Sequence, residues 1–237
     1  MSAAPRPLTR SRKLAQEQGF GTLTHSAYAE IRGRILSLTL KPGCRVTIKA
    51  LQSELDIGPT PIREALARLA SEGFVVGEEN RGYRISDVTL TALRDIVDQR
   101  KLVECSGLKR SVERGGPAYV ARVTEVHARL VEADRARAAS EPGAFVQWET
   151  VHREFHAALL SAAQSSWLMQ FQNILFDHAD RYRRIALDHA SPPPRIAQDH
   201  LRILEAIQDG DGEMASLILA RHIERTFAAA KAAGLKE

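Results

Sequence analysis

Several things are scarce or missing in this 237-residue sequence, and each absence narrows its class. There are only two cysteines, Cys44 and Cys105, far apart and in no Cys-x-x-Cys spacing. A disulfide scaffold is therefore excluded, and a reduced cytoplasmic setting is expected. The uninterrupted apolar runs fall far short of the ~20 residues of a membrane helix, so no membrane span is expected. The opening stretch MSAAPRPLTRSRKLAQEQGF carries positive charge but no apolar core region, so it does not read as a secretory signal. No repeat of fixed period, nucleophile elbow, P-loop or dinucleotide fingerprint is found. With 44% hydrophobic and 26% charged residues the composition is that of an ordinary globular chain, which excludes wholesale disorder and collagen-like structure.

What charge there is, is unevenly placed. The formal net charge is +4, and residues 1–90 carry 13 Lys/Arg against 9 Asp/Glu. Residues 91–237 carry 20 of each sign. A basic module joined to a neutral one points to a polyanion-binding part and a part with another task.

Residues 1–22 read as a flexible basic arm, residues 23–87 as one domain and residues 88–237 as another. A first helix is predicted after Thr24, with Ala27, Ile31, Ile35 and Leu38 on one face, ending before Lys41-Pro42-Gly43. Cys44-Arg45-Val46 suits a short strand, and Thr47 can cap a helix over 48–55. Thr60 before Pro61 has the pattern of a cap and first helical residue for a third helix over 61–72, which Gly73 ends. Two β-capable runs, 74–76 and 83–85, flank a polar glycine-containing tip and read as a hairpin. From Thr89 onward six amphipathic helices are predicted, about 89–114, 117–139, 143–163, 166–188, 194–209 and 211–232. The fold class is thus mainly α: a winged helix-turn-helix with a small β-hairpin, then an all-α antiparallel bundle.

A winged helix presents the helix after its turn to the major groove and its hairpin tip to the backbone or minor groove. Thr60, Arg63 and Glu64 lie off the apolar face of the third helix near its start. Arg63 has no acid at either i±4 position and suits a guanine edge or a phosphate. Arg81 and Gly82 at the hairpin tip, with Arg45 and Lys49, suit phosphate contact. Residues 31–85 resemble the DNA-binding domain of the GntR family of bacterial transcriptional regulators. The resemblance is carried by Leu40-Lys41-Pro42-Gly43, Thr60-Pro61-Ile62-Arg63-Glu64-Ala65-Leu66, Glu72-Gly73-Phe74-Val75 and Arg81-Gly82-Tyr83. The family usually has Ser-Arg or Thr-Arg before its Thr-Pro, where this chain has Gly58-Pro59, so one base contact that the resemblance implies is missing here.

In the second half, four histidines fall on the inward stripes of predicted helices. His152 and His156 lie within the face Phe145, Trp148, Phe155, Leu159; His200 lies with Ile196, Ile203, Leu204 and Ile207; His222 follows Ala215, Ile218 and Leu219. Imidazoles four apart on one helix point the same way and can share one metal ion. A single inward histidine is more often a satisfied core residue; four on three helices are harder to place without a ligand. His25, His127, His178 and His189 read as surface or loop residues, and Trp148, Trp167, Phe171 and Phe176 as core or pocket walls.

Residues 89–237 resemble the FCD ligand-binding domain of the FadR subgroup of GntR regulators, through Arg100 to Glu104, Phe155-His156, and the segments around His200 and His222. The resemblance implies a metal site made of an aspartate, the Phe-His histidine and the two late histidines. The aspartate position is His152 here, which makes the donor set four imidazoles and favours Zn²⁺ or Ni²⁺ over harder ions. It further implies a homodimer on a pseudo-palindromic DNA operator. An all-imidazole site leaves the ion's charge uncompensated and should bind anions, so a small organic acid anchored by its carboxylate is the expected effector. Arg100 is then a candidate carboxylate clamp, with an internal ion pair to Glu104 as the alternative. The rival function is a metal-dependent hydrolase with a passenger N-terminal domain. It is disfavoured because His152-Arg153-Glu154-Phe155-His156 misplaces the acid of the H-E-x-x-H pattern.

Overall fold

A computed structural model of the protein describes residues 10–78, 82–187 and 194–236. The chain divides into two compact units, one ending at Asp87 and the other starting at Val88. Arg81 and His189 lie outside the described residues.

The first unit runs α1 (Arg10–Leu36), β1 (Arg45–Val46), α2 (Ile48–Leu55), α3 (Pro59–Ser71), β2 (Val75–Glu78) and β3 (Gly82–Ile85). Three boundaries differ from the sequence reading. Helix α1 starts at Arg10 instead of after Thr24, so much of the predicted basic arm is helical. Residues 12–18, Arg-Lys-Leu-Ala-Gln-Glu-Gln, are strong helix formers, a signal that apolar periodicity does not register. At its other end α1 stops at Leu36, and Leu38 stands beyond it at φ 63°. Helix α3 starts at Pro59 with Gly58 as its cap, not at Pro61 with Thr60 as cap. The N–H groups of a first helical turn have no partner within the helix, so prolines at its first and third positions forfeit nothing.

Ala27, Ile31 and Ile35 of α1 are fully buried with Ile62, Ala65, Leu66 and Leu69 of α3. Helix α3 ends in a left-handed Gly73 (φ 80°), and the Phe74 N–H donates to the Leu69 carbonyl at 2.9 Å. Thr47 caps α2 by accepting from the Ala50 N–H at 3.1 Å. The strands form an antiparallel sheet in the order β1-β3-β2, with Val46 opposite Tyr83 and Glu78 opposite Gly82. Gly82 has φ 92°, and a Cβ there would stand 2.9 Å from the Val46 carbonyl oxygen. Both facts demand glycine at this corner, whatever the tip contacts.

The second unit is built of α4 (Leu90–Arg100), a π turn (Lys101–Cys105), α5 (Ser106–Ala138), α6 (Ala144–Leu159), α7 (Ser166–Leu187), α8 (Pro194–Gln208) and α9 (Gly212–Ala232). Thr89 caps α4 by accepting from the Ala92 N–H. The expected break at Gly115-Gly116-Pro117 is a kink within α5, where Gly116 takes φ 58° and ψ −164°. Where one regular helix over 89–114 was expected, the π turn interrupts it. Helix α9 packs against α4, α5, α7 and α8, and the short 209–211 turn makes α8 and α9 antiparallel. Trp148, Phe155, Leu159, Ile203, Leu219 and Ile223 are buried in the core. Among the described residues no helix is long and apolar enough to cross a membrane.

The corner at Gly82 yields a test with an internal control. Gly82→Ala should destabilise the first unit by more than about 1 kcal/mol in a denaturant titration. Gly77→Ala, with open space around its Cβ position and no left-handed φ, should change it by less than that.

Candidate functional site

The first unit gathers its sequence-predicted contact residues on α2, α3 and the sheet. Thr60 and Arg63 are exposed in the first turns of α3, and Lys49 is exposed on α2. Arg63 has no ion pair or hydrogen bond among the described residues, whereas its neighbour Glu64 accepts from the Thr24 hydroxyl at 2.8 Å. Arg45 pairs with Glu78 at 3.0 Å while its side chain stays half exposed. Gly82 is half-buried beside β1.

The second unit brings the four inward histidines together. His152 and His156 come from successive turns of α6, His200 from α8 and His222 from α9. All four are buried, and each offers a ring nitrogen within 4.8 Å of the others'. His200 Nε2 and His222 Nε2 are 3.3 Å apart. That is about the separation of two nitrogens each ~2.1 Å from one tetrahedral ion. The rings pack edge and face against one another, with centroids 4.5 Å apart for His200 and His222 and 4.7 Å for His152 and His156. Trp148 stacks on His152 at 4.6 Å, and Trp148 Nε1 donates to Asp134 at 2.7 Å.

Polar satisfaction within this group is incomplete. His152 Nδ1 and Nε2, His156 Nε2, His200 Nδ1 and His222 Nδ1 are buried with no hydrogen-bond partner among the described residues. Two carboxylates stand behind the rings. Glu104, from the π turn, lies 3.0 Å from His156 Nδ1, and its other oxygen accepts from Arg100 Nε at 2.5 Å. Asp199 lies 3.8 Å from His222 Nδ1, an ion-pair distance too long for a hydrogen bond, and accepts from Arg225 at 2.5 Å.

Burial pushes all four imidazoles below the usual histidine range. His152 and His200 fall well below it, His152 also through the cationic Arg183 and His200 through His222. His156 is lowered to about 4 by burial, although the Glu104 carboxylate opposes the shift. His222 is lowered by burial against the opposing pull of Asp199. Burial alone would raise Glu104, but Arg100 and His156 outweigh it and hold it at about 2. At neutral pH the cluster therefore consists of neutral imidazoles backed by ionised carboxylates, the protonation states that ligate a metal. The donor set fits a divalent ion on all counts: neutral nitrogens, orphaned lone pairs and mutual reach.

A cavity opens beside the cluster. Its floor includes Arg100, Trp148, His152, Arg183 and His222, and its half-buried mouth includes Arg225 and Thr226. Arg100 both pairs with Glu104 and lines this cavity, so its two readings are compatible. Arg183 and Arg225 were not singled out in the sequence. Arg225 lies one helical turn after His222 on α9, a spacing that places both on one face, whereas Arg183 reaches the cavity only through the packing of α7 on α9. Glu154 points away from the cluster and pairs with Arg129 at 2.8 Å, so it cannot act as a base there. Three other residues differ from expectation. Trp167 and Phe171 are 68% and 52% exposed instead of forming core or pocket walls, because the stripe of α7 that faces the bundle runs through Gln172, Phe176 and Ala179. His127, read as a surface residue, is buried on α5 with its ring 5.7 Å from Phe155.

Comparison with known proteins accounts for both units. Residues 23–85 match the gntR family of bacterial regulatory proteins, and residues 95–225 match the FCD domain. The chain is 30% identical to the HTH-type transcriptional regulator BphR of Paraburkholderia xenovorans, over 98% of this chain and 91% of that protein. It is 31% identical to the HTH-type transcriptional repressor GlaR of Escherichia coli, over 66% of this chain and 70% of that protein. The solved structure of E. coli McbR/YncC shares the fold with a TM-score of 0.74 at 22% identity, covering 89% of this chain and 97% of that one. A GntR regulator from Rhodococcus sp. RHA1 does so with a TM-score of 0.70 at 22% identity, covering 88% and 97%. A basic winged helix with its recognition helix exposed, followed by an FCD domain, identifies this chain as a DNA-binding transcriptional regulator that belongs to the GntR family and is not an enzyme.

Proposed function

We propose that this regulator senses a small organic acid through a divalent metal ion held by His152, His156, His200 and His222, and that the bound acid changes its affinity for DNA. The observation that carries the reading is the set of five orphaned imidazole nitrogens in one buried group. A buried ring nitrogen without a partner costs about 1–3 kcal/mol, and one ion ligated by one nitrogen of each ring would relieve that cost for the nitrogens that face it. An all-nitrogen donor set favours zinc or nickel. When bound, the ion supplies a positive charge that attracts a carboxylate, and Arg100 in the adjoining cavity provides a guanidinium for the same ligand. Glu104 and Asp199 hold His156 and His222 in place from behind.

On DNA, Arg63 at the start of α3 reads a base edge or phosphate, Thr60 flanks it, and Arg45, Lys49, Arg81 and Gly82 position the protein on the backbone. The protein works in the cytoplasm as a homodimer, so that its two-fold axis matches a pseudo-palindromic operator. The effector acts by binding two arrangements of the dimer with different affinity. A structural ion that never meets an effector is the second reading, supported by the burial of all four rings. It predicts loss of folding on chelation with no response to any acid.

Purified protein should carry about one zinc or nickel per chain, and the double variant His156→Ala/His222→Ala should carry none by elemental analysis. Retention of stoichiometric metal in that variant would falsify the site. Arg63→Ala should weaken operator binding by roughly 1–3 kcal/mol and relax sequence preference. Lys49→Ala should weaken binding evenly across sequences and lower the salt slope by about one ion, as read in a salt titration of gel shifts. Unchanged affinity in Arg63→Ala would remove that residue from the interface.

A further inference from the structure

Charge balance around the histidine cavity restricts the ligand further than the word acid does. Three guanidiniums, those of Arg100, Arg153 and Arg183, stand 4.8, 4.9 and 5.0 Å from the centre of one buried ring, Phe176. That ring is in turn 5.0 Å from His156 and 5.8 Å from His152. Arg225 adds a fourth guanidinium at the mouth. Each has a carboxylate partner. Arg100 pairs with Glu104 at 2.5 Å, Arg153 with Asp177 at 2.6 Å, and Arg225 with Asp199 at 2.5 Å. Asp180 is shared by Arg153 and Arg183. These four positive and four negative side chains cancel, and the four imidazoles are neutral.

None of the four donor residues is a carboxylate, so an ion of charge +2 at the cluster is wholly uncompensated by its ligands. Burying net charge without a counter-charge is strongly disfavoured. A monoanion leaves half of that charge unbalanced, and a dianion closes it. The cavity is floored by Arg100, Arg183, His152 and His222, with Arg225 and Thr226 toward the mouth, so guanidiniums line it from floor to mouth. Its atom-free space, counted out to the mouth, is about 450 Å³, which leaves room for a ligand of a few carbon atoms.

Resting on the metal reading above, we infer that the cavity takes a short dicarboxylate or a dianion of similar span, with one carboxylate on the ion and the other between the guanidiniums of Arg183 and Arg225. Arg183 is the residue that sets this preference. It is buried, and its aspartate partner Asp180 keeps Arg153 if Arg183 is removed.

Succinate and butyrate have the same four carbons and differ by one carboxylate, which makes them the probes. Zinc-loaded protein, its metal content measured before and after, is titrated with each acid by calorimetry. Succinate should bind at least about tenfold more tightly, the worth of one charge-assisted contact. In Arg183→Met, which keeps the aliphatic bulk and removes the charge, the preference should fall to about twofold or less with the zinc content unchanged. Equal affinity of the two acids in zinc-loaded wild type, or an undiminished preference in Arg183→Met, would overturn the inference while leaving the metal site standing. A diacid preference that survives removal of zinc would overturn the charge-balance argument. Failure to hold zinc before any acid is added would overturn the metal reading, and this inference with it.

Discussion

Four imidazole rings share one water-poor pocket at the centre of the helical unit, and burial keeps all four neutral. Five of their nitrogens have no hydrogen-bond partner among the described residues. At about 1–3 kcal/mol each, the penalty is on the order of 5–15 kcal/mol, as large as the whole stability of a typical domain. A fold does not keep such a debt on three separate helices for packing alone, since aliphatic side chains of similar size would fill the space without it. A divalent ion, as proposed, would be ligated by one nitrogen of each ring, would relieve part of that penalty and would crosslink α6, α8 and α9.

The surroundings of the cluster follow from the same constraint. Glu104 must stay ionised in a fully buried place, and the Arg100 guanidinium together with His156 holds it at about 2. The π turn over Lys101–Cys105 carries Glu104, and the wider turn leaves both Arg100 and Glu104 buried on the bundle side of one continuous helix. On the opposite side Asp199 serves His222 and Arg225 together. Around Phe176 the guanidiniums stand over an aromatic ring and are paired with carboxylates, so this wall as a whole adds no net charge. The charge of an ion held by the imidazoles would then be left for its ligand to balance.

The DNA-binding unit obeys a different logic. Pro59 serves as the first residue of α3, at the position where the resemblance to the family implies a base-reading arginine, so the proposed base contact falls to Arg63. Arg63 is exposed on that helix and unpaired among the described residues, while Arg45 and Arg84 are partly occupied by Glu78. The excess positive charge of residues 1–90 is of the kind that favours phosphate contact without sequence preference, in keeping with the proposed DNA contacts.

Much of this was legible in the residues themselves. Helix faces such as Ala27, Ile31 and Ile35, stops such as Gly73, and the inward phase of the four histidines are local properties of 3.6-residue spacing and backbone chemistry. Local propensity was underweighted where it lacked an apolar stripe, which is why α1 starts earlier than its periodicity indicates. Tertiary structure alone decided the rest. It determined that His127 is buried while Trp167 and Phe171 are not, that a π turn delivers Glu104, and that Arg183 and Arg225 meet the histidines at one cavity. Periodicity tells which side of a helix is apolar, but not which neighbour covers it or how far that cover extends. That depends on the packing of α4, α7 and α9 against one another, which no spacing within a single helix encodes.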